Sequence, residues 1–201
     1  QWLDADKVIN SMARRGFESY LEIPSDKTRP SVLSTARSYF NILFGRGIEE
    51  TFSHSTIDLR DVIRGEPMTI YLVVPPTKLE SHRLILRLLI STLMTAVMSR
   101  TSIPRQRTLF MLDEAAQLGH MPALVQAQTL LRSYGLQVWS FWQNVSQLRQ
   151  LYPSWETMIG NSGVLQVFGT GHQPANEQAG DLIGVEAEEI QSLGPDEQYL
   201  S

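Results

Sequence analysis

The stretch 108-TLFMLDEAAQLG-119 runs a short apolar segment into two neighbouring carboxylates, Asp113 and Glu114. A run of that length and β-prone composition reads as a strand buried in a sheet. Three further segments of the same kind surround it: TIYLVV at 69–74, stopped by Pro75 and Pro76, LQVWSFW at 136–142, and VLQVF at 164–168. Helical patterns lie between them. Apolar residues at 84, 85, 88, 89, 93, 96 and 97 form one stripe of a helix over 79–98. Pro122 suits the first position of a second helix, with Leu124, Ala127, Leu131 and Tyr134 facing inward and Gly135 closing it as a left-handed cap. Ser146 is a candidate cap for a third, running to about residue 159 before the turn NSG at 161–163. Near-continuous apolar strands alternating with helices predict an α/β fold, a largely parallel sheet with helices on both faces.

The first third reads differently. Residues 4–21 and 31–44 have helical patterns, Ser31 after Pro30 gives a start signal, and LFGRG at 43–47 and RGEP at 64–67 mark breaks. The expected organisation is a helical segment over 1–65 and a sheet domain over 66–201. At 201 residues and 42% hydrophobic, the chain is long enough for one sizeable core. The net charge of −4 argues against a surface that grips phosphate backbones everywhere, while leaving room for local arginine contacts. There are no cysteines, which excludes disulfides and thiolate metal sites, and His54, His82, His120 and His172 show no close metal-ligand spacing. The most apolar helical stretch, 84–99, is interrupted by Arg87 and falls short of the ~20 residues a bilayer span needs, so it is read as a core helix. The chain opens Gln-Trp-Leu without a methionine and ends at EQYLS inside another strand pattern, and it is expected to be a piece of a longer protein.

In an open parallel sheet, ligands bind at the carboxyl ends of the strands. Asp113 and Glu114 follow one strand directly, and Gln143 and Asn144 follow another, so both pairs are placed on the same edge. Four apolar residues followed by Asp-Glu is the Walker B pattern, in which the first carboxylate holds the water shell of Mg2+ and the second polarises a water for attack on the γ-phosphate. A capping reading competes with it: Asp113 as a helix N-cap and Glu114 favoured by the helix dipole. Capping accounts for the doublet alone but not for an amide pair at the end of the next strand. Arg132, in LLRSYG, is either a cation near a helix C-terminus or a finger reaching a nucleotide on a neighbouring subunit. Trp139 and Trp142 are read as core residues, and Arg100, Arg105 and Arg107 as solvated. His120 receives no role.

A phosphate-binding loop needs G-x-x-x-x-G-K-[ST], and none of Lys7, Lys27 and Lys78 follows a glycine. FGTG at 168–171 is too short and lacks the lysine, so it reads as a tight turn. The phosphate loop is therefore either upstream or there is no nucleotide.

The run 109–170, LFMLDEAAQLGHMPALVQAQTLLRSYGLQVWSFWQNVSQLRQLYPSWETMIGNSGVLQVFGT, resembles the coupling-protein ATPases of type IV secretion and bacterial conjugation. The shared features are a strand ending Asp-Glu, a following LG and helix, an R-x-x-G helix end, and a strand ending in Gln before SQL. The likeness extends more loosely over STARSYFNILF (34–44) and 69–98. It implies a RecA-like motor that uses ATP and Mg2+ and forms a homo-hexamer on the cytoplasmic face of the bacterial inner membrane. Such a motor passes a relaxase–DNA complex or protein substrates to the secretion channel, with membrane contact through a segment outside this chain. It also implies roles by position: Asp113 as the Mg2+ carboxylate, Glu114 as catalytic, Gln143 as the γ-phosphate sensor, and Arg132 as a finger across the subunit boundary. Residues 1 to about 30 are then expected to be the tail of an inserted all-α domain, and the 201 residues alone are expected to be inactive. Two alternatives remain: an ATP-driven DNA motor without a secretion partner, and a non-catalytic interaction domain whose doublet is only a cap.

Overall fold

A computed structural model describes residues 11–23, 28–41 and 45–201. The chain divides into two compact units, Gln1–Ser55 and Thr56–Ser201. In the first, α1 (Ser11–Leu21), α2 (Thr28–Phe40) and α3 (Arg46–Phe52) are the described elements. The Tyr20 hydroxyl donates to the Arg29 carbonyl at 3.3 Å, and Arg29 Nε donates back to the Ile23 carbonyl at 2.7 Å, joining the two ends of the connection from α1 to α2. Helix α2 starts three residues earlier than Ser31 signals, because Pro30 is tolerated within a first turn, where its missing N–H is not needed. The opening of the helix predicted over 4–21 and residues 42–44 of the one predicted over 31–44 lie outside the described residues.

The second unit contains the sheet. Residues 59–64, expected with the helical segment, form α4 (Leu59–Arg64) within this unit. Asp58 caps it by accepting from the Arg60 amide at 2.8 Å, and Gly65 ends it at φ 72°, where a side chain would be strained. Helix α5 (Leu79–Met98) matches the predicted bounds. With the 3-10 turn Pro76–Lys78 it is long and apolar enough to cross a membrane by length and composition, contrary to the sequence count. Ile90, Met94 and Val97 are buried in the core, whereas Leu84 and Leu88 of the predicted stripe are exposed, so the core-helix reading holds for one side of the C-terminal half.

Strand β1 (Thr108–Leu112) pairs in parallel with β2 (Leu136–Ser140), in register from Thr108 opposite Leu136 to Leu112 opposite Ser140. Between them run a 3-10 turn at Ala115–Leu118, α6 (Pro122–Thr129) and a second 3-10 turn at Leu131–Tyr134, with Gly135 at φ 77° as predicted. Leu124 and Ala127 are buried on the inner side of α6. The helix expected from Ser146 to about 159 is two helices, α7 (Val145–Leu151) and α8 (Trp155–Gly160), because Pro153 supplies no amide hydrogen and disfavours a helical residue before it. Its cap is Asn144, whose side chain accepts from the Gln147 amide at 2.9 Å, while the Ser146 hydroxyl donates to Gln178 Oε1. Strand β3 (Gln166–Val167), helices α9 (Gln173–Ile183) and α10 (Ala187–Gln191), and strand β4 (Tyr199–Leu200) complete the chain.

Two predicted strands differ. Residues 69–74 form no strand, with Tyr71 and Val73 both 83% exposed, since no described strand lies alongside to supply a ladder. The 164–168 segment keeps only two strand residues, and these pair antiparallel with β4 rather than joining the parallel pair. The inward sides of β1 and β2, with Phe110, Leu112, Leu136 and Val138, pack on the core that includes α5 and α6. The other side exposes Leu109, Met111 and Trp139; Trp139 stacks on Phe141 at 5.3 Å instead of entering the core. Trp142 does pack against the core, edge-on to the fully buried Tyr152.

Candidate active site

The parallel register brings the ends of β1 and β2 side by side. Two backbone bonds extend the pairing past the strands: the Phe141 amide donates to the Leu112 carbonyl and the Ala115 amide to the Phe141 carbonyl, each at 3.0 Å. Between those anchors the chain must turn within two residues. Glu114 takes the turn in the left-handed conformation, φ 55° and ψ 62°, the one positive φ outside glycine among the described residues. That conformation costs a side-chain-bearing residue roughly 1 kcal/mol, and such strain concentrates at functional sites.

The Glu114 carboxylate accepts a hydrogen bond from the Gln143 amide nitrogen, joining the tips of the two strands through their side chains. Gln143 is held in turn by Gln147. Its backbone N–H donates to Gln147 Oε1 at 3.1 Å, and its side-chain carbonyl accepts from Gln147 Nε2 at 3.1 Å. Asp113 is exposed, and no described cation or hydrogen-bond donor is paired with it. Three of the four residues singled out by sequence thus share one rim. Arg132 does not. It stands in the 3-10 turn before β2, at the end where the Thr108 amide donates to the Gly135 carbonyl, so the length of a five-residue strand, about 17 Å, separates it from the doublet.

A cleft of about 1000 Å³ runs along β2, lined by residues that include Arg132, Gln143, Asn144 and 163–168. Gln143 lines this cleft, whereas Asp113 and Glu114 do not. The doublet's oxygens are hard donors of the kind that suits Mg2+, which keeps most of its waters and takes one or two carboxylates, and the unpaired Asp113 is the residue here with that chemistry. Among the described residues no cluster of three His, Asp or Glu side chains forms a closed metal site.

The sequence reading missed two residues. Gln147 sits in the first turn of α7, and only its spacing of four from Gln143 hinted at contact. Arg100, read as solvated, is 6% exposed and donates to the carbonyls of Val62, Ile63 and Tyr134 and to the Thr108 hydroxyl. Burial lowers its pKa from the usual arginine value. His120 receives a structural explanation: its Nδ1 lies 2.8 Å from the Leu151 carbonyl and its ring tilts against Tyr152.

Residues 8–183 match the profile of the family described as type IV secretory system conjugative DNA transfer. The chain belongs to that family. It is 33% identical over 106 residues to the conjugal transfer protein TraG of Agrobacterium fabrum, covering 53% of this chain and 16% of that protein. It is 28% identical over 141 residues to the type IV secretion system-coupling protein VirD4 of Bartonella quintana, covering 70% of this chain and 20% of that protein. Among solved structures, the plasmid coupling protein TrwB in complex with the non-hydrolysable GTP analogue GDPNP superposes with a TM-score of 0.74 at 18% identity, covering 96% of this chain and 52% of that one. TrwB in complex with ADP and Mg2+ superposes equally well, at 19% identity. The fold of this chain is thus the α/β, RecA-like fold of the coupling proteins. The chain spans about half of the TrwB structures and a smaller share of the TraG and VirD4 relatives.

Proposed function

We propose that residues 56–201 are the distal part of an ATP-hydrolysing motor in a type IV coupling protein, and that the preceding helices are the tail of an inserted helical domain. The observation that carries this reading is the Glu114–Gln143 hydrogen bond, which unites an acidic doublet and an amide at the tips of adjacent parallel strands. The TrwB neighbours bind ADPNP, GDPNP, and ADP with Mg2+, which supports a nucleotide at this rim. Asp113 holds the hydrated Mg2+, Glu114 polarises the attacking water, and the Gln143 amide reads the γ-phosphate. Mg2+ on the nucleotide supplies charge neutralisation at the phosphates. Arg132, too far from its own doublet, serves the neighbouring subunit of a homo-hexamer. The assembly stands at the cytoplasmic face of the inner membrane, joined to the type IV secretion channel, and moves a relaxase–DNA complex or protein substrate into it.

In the full-length protein, Glu114→Gln is expected to lower ATP hydrolysis by about 10²–10⁴-fold, the usual worth of a positioned general base, with nucleotide binding retained. DNA transfer from donor to recipient cells is lost with it. Unchanged turnover overturns the catalytic assignment. Loss of hydrolysis with normal transfer of every substrate overturns the coupling role.

A further inference from the structure

The N–H of Gln143 is a donor that cannot be turned around, and it bonds to Gln147 Oε1. This fixes which end of the Gln147 amide is oxygen, and so leaves its NH2 to donate to Gln143 Oε1. With that oxygen occupied, the Gln143 amide has one orientation left, and its NH2 faces the Glu114 carboxylate. The reverse orientation would set an amide oxygen against a carboxylate and an NH2 against an NH2. A helix cap alone does not require this. In the usual capping box the third helical residue reaches back to the N-cap amide. Here the cap's backbone half is made by Asn144 accepting from the Gln147 amide, while the Gln147 side chain reaches one residue further and adds a second bond that satisfies no helix amide.

We propose that Gln147 is a positioning residue for hydrolysis: it passes the fixed direction of the Gln143 backbone N–H to the Gln143 side chain and aims that amide's NH2 at Glu114. The inference rests on the function proposed above. It makes Gln147 act only through Gln143, and it separates orientation from helix stability. Gln147→Glu keeps an acceptor for the Gln143 N–H and places a negative charge in the first turn of α7, where the helix dipole favours it. It cannot donate to Gln143 Oε1, so two carboxylates compete for the one Gln143 NH2, and in either orientation the amide oxygen faces one of them, which loosens its hold on Glu114. Gln147→Ala removes both bonds and leaves the amide free to choose.

The test is steady-state ATP hydrolysis and thermal melting of full-length Gln147→Glu, Gln147→Ala, Gln143→Ala, Glu114→Gln and the double variant Gln143→Ala/Gln147→Glu. Gln147→Glu is expected to lower kcat about tenfold, as loss of one hydrogen bond to a charged group would, with the melting temperature equal to or above that of the parent. Gln147→Ala should fall less in kcat and melt lower. The double variant should match Gln143→Ala alone, as coupled residues do. The reverse kcat order, additive losses in the double variant, or parental kcat in Gln147→Glu beside an impaired Gln143→Ala each overturn the positioning role and leave the proposed function standing. Parental kcat in Gln143→Ala and Glu114→Gln together overturns the function beneath it.

Discussion

Arg100 donates from Nη2 to the Thr108 hydroxyl at 2.7 Å, tying the residue two places after α5 to the first residue of β1. The same guanidinium holds the Val62, Ile63 and Tyr134 carbonyls, so four segments meet at one planar fork. Lysine offers a point charge and cannot span those directions. Arg100→Lys is therefore expected to destabilise the chain by about 2–4 kcal/mol, the cost of buried acceptors left without donors. The urea midpoint measures it; a loss below about 0.5 kcal/mol, the usual range of surface substitutions, would show that water serves those carbonyls equally well.

Tyr152 adds a pH-dependent contribution. Its hydroxyl donates to the Gly119 carbonyl at 3.1 Å and accepts from the Met121 amide at 3.2 Å, with the side chain wholly buried. Burial raises its pKa above the usual tyrosine value, opposed by the Met121 hydrogen bond and by Arg87. The folded state thus keeps this proton more tightly than the unfolded state. The stability it contributes is present in full below the unfolded pKa of about 10 and is lost as pH rises through the folded value. Urea midpoints measured from pH 8 to 11 should fall in the parent and fall less in Tyr152→Phe. Equal slopes would assign the alkaline loss to other groups.

The left-handed Glu114 gives a comparison within one site. Glycine and alanine both delete the carboxylate, but only glycine occupies φ 55° without a clash. Glu114→Gly should be more stable than Glu114→Ala by about 1 kcal/mol, while both lose hydrolysis in the full-length protein. Alanine as stable as glycine would mean that the turn relaxes and that no strain is held at the strand tip.

These residues show which features a linear reading can find. β1, α5, the start of α6 and the cap at Gly135 depend on local apolar period, Pro122 and one glycine, and they follow directly from the sequence. The shared rim of Asp113, Glu114 and Gln143 was equally legible, because parallel strands necessarily place their carboxyl ends together. Residues 69–74 have as much β propensity as β1 yet form no ladder, since a strand exists only beside a partner. Arg100 hides for a related reason: its carbonyl partners lie 34 to 38 residues away, and nothing in MSRTSIP announces them. Gln147 was out of reach because its meaning depends on which way two amides face, a property of side-chain geometry rather than of spacing.

The last prediction concerns nucleotide affinity. The rim supplies carboxylates and an amide, groups that manage Mg2+ and a γ-phosphate, but it supplies little that neutralises a triphosphate. Tight binding of phosphates draws on a glycine-rich run of backbone amides and a lysine, and none of the three lysines here follows a glycine. Asp113 and Glu114 by themselves repel the phosphates when Mg2+ is absent. The 201 residues alone should therefore bind ATP weakly or not at all in a calorimetric titration, with Mg2+ present or removed. Micromolar affinity would place the phosphate site elsewhere on the molecule, with the cleft along β2, lined by Arg107 and Arg132, as the first place to look.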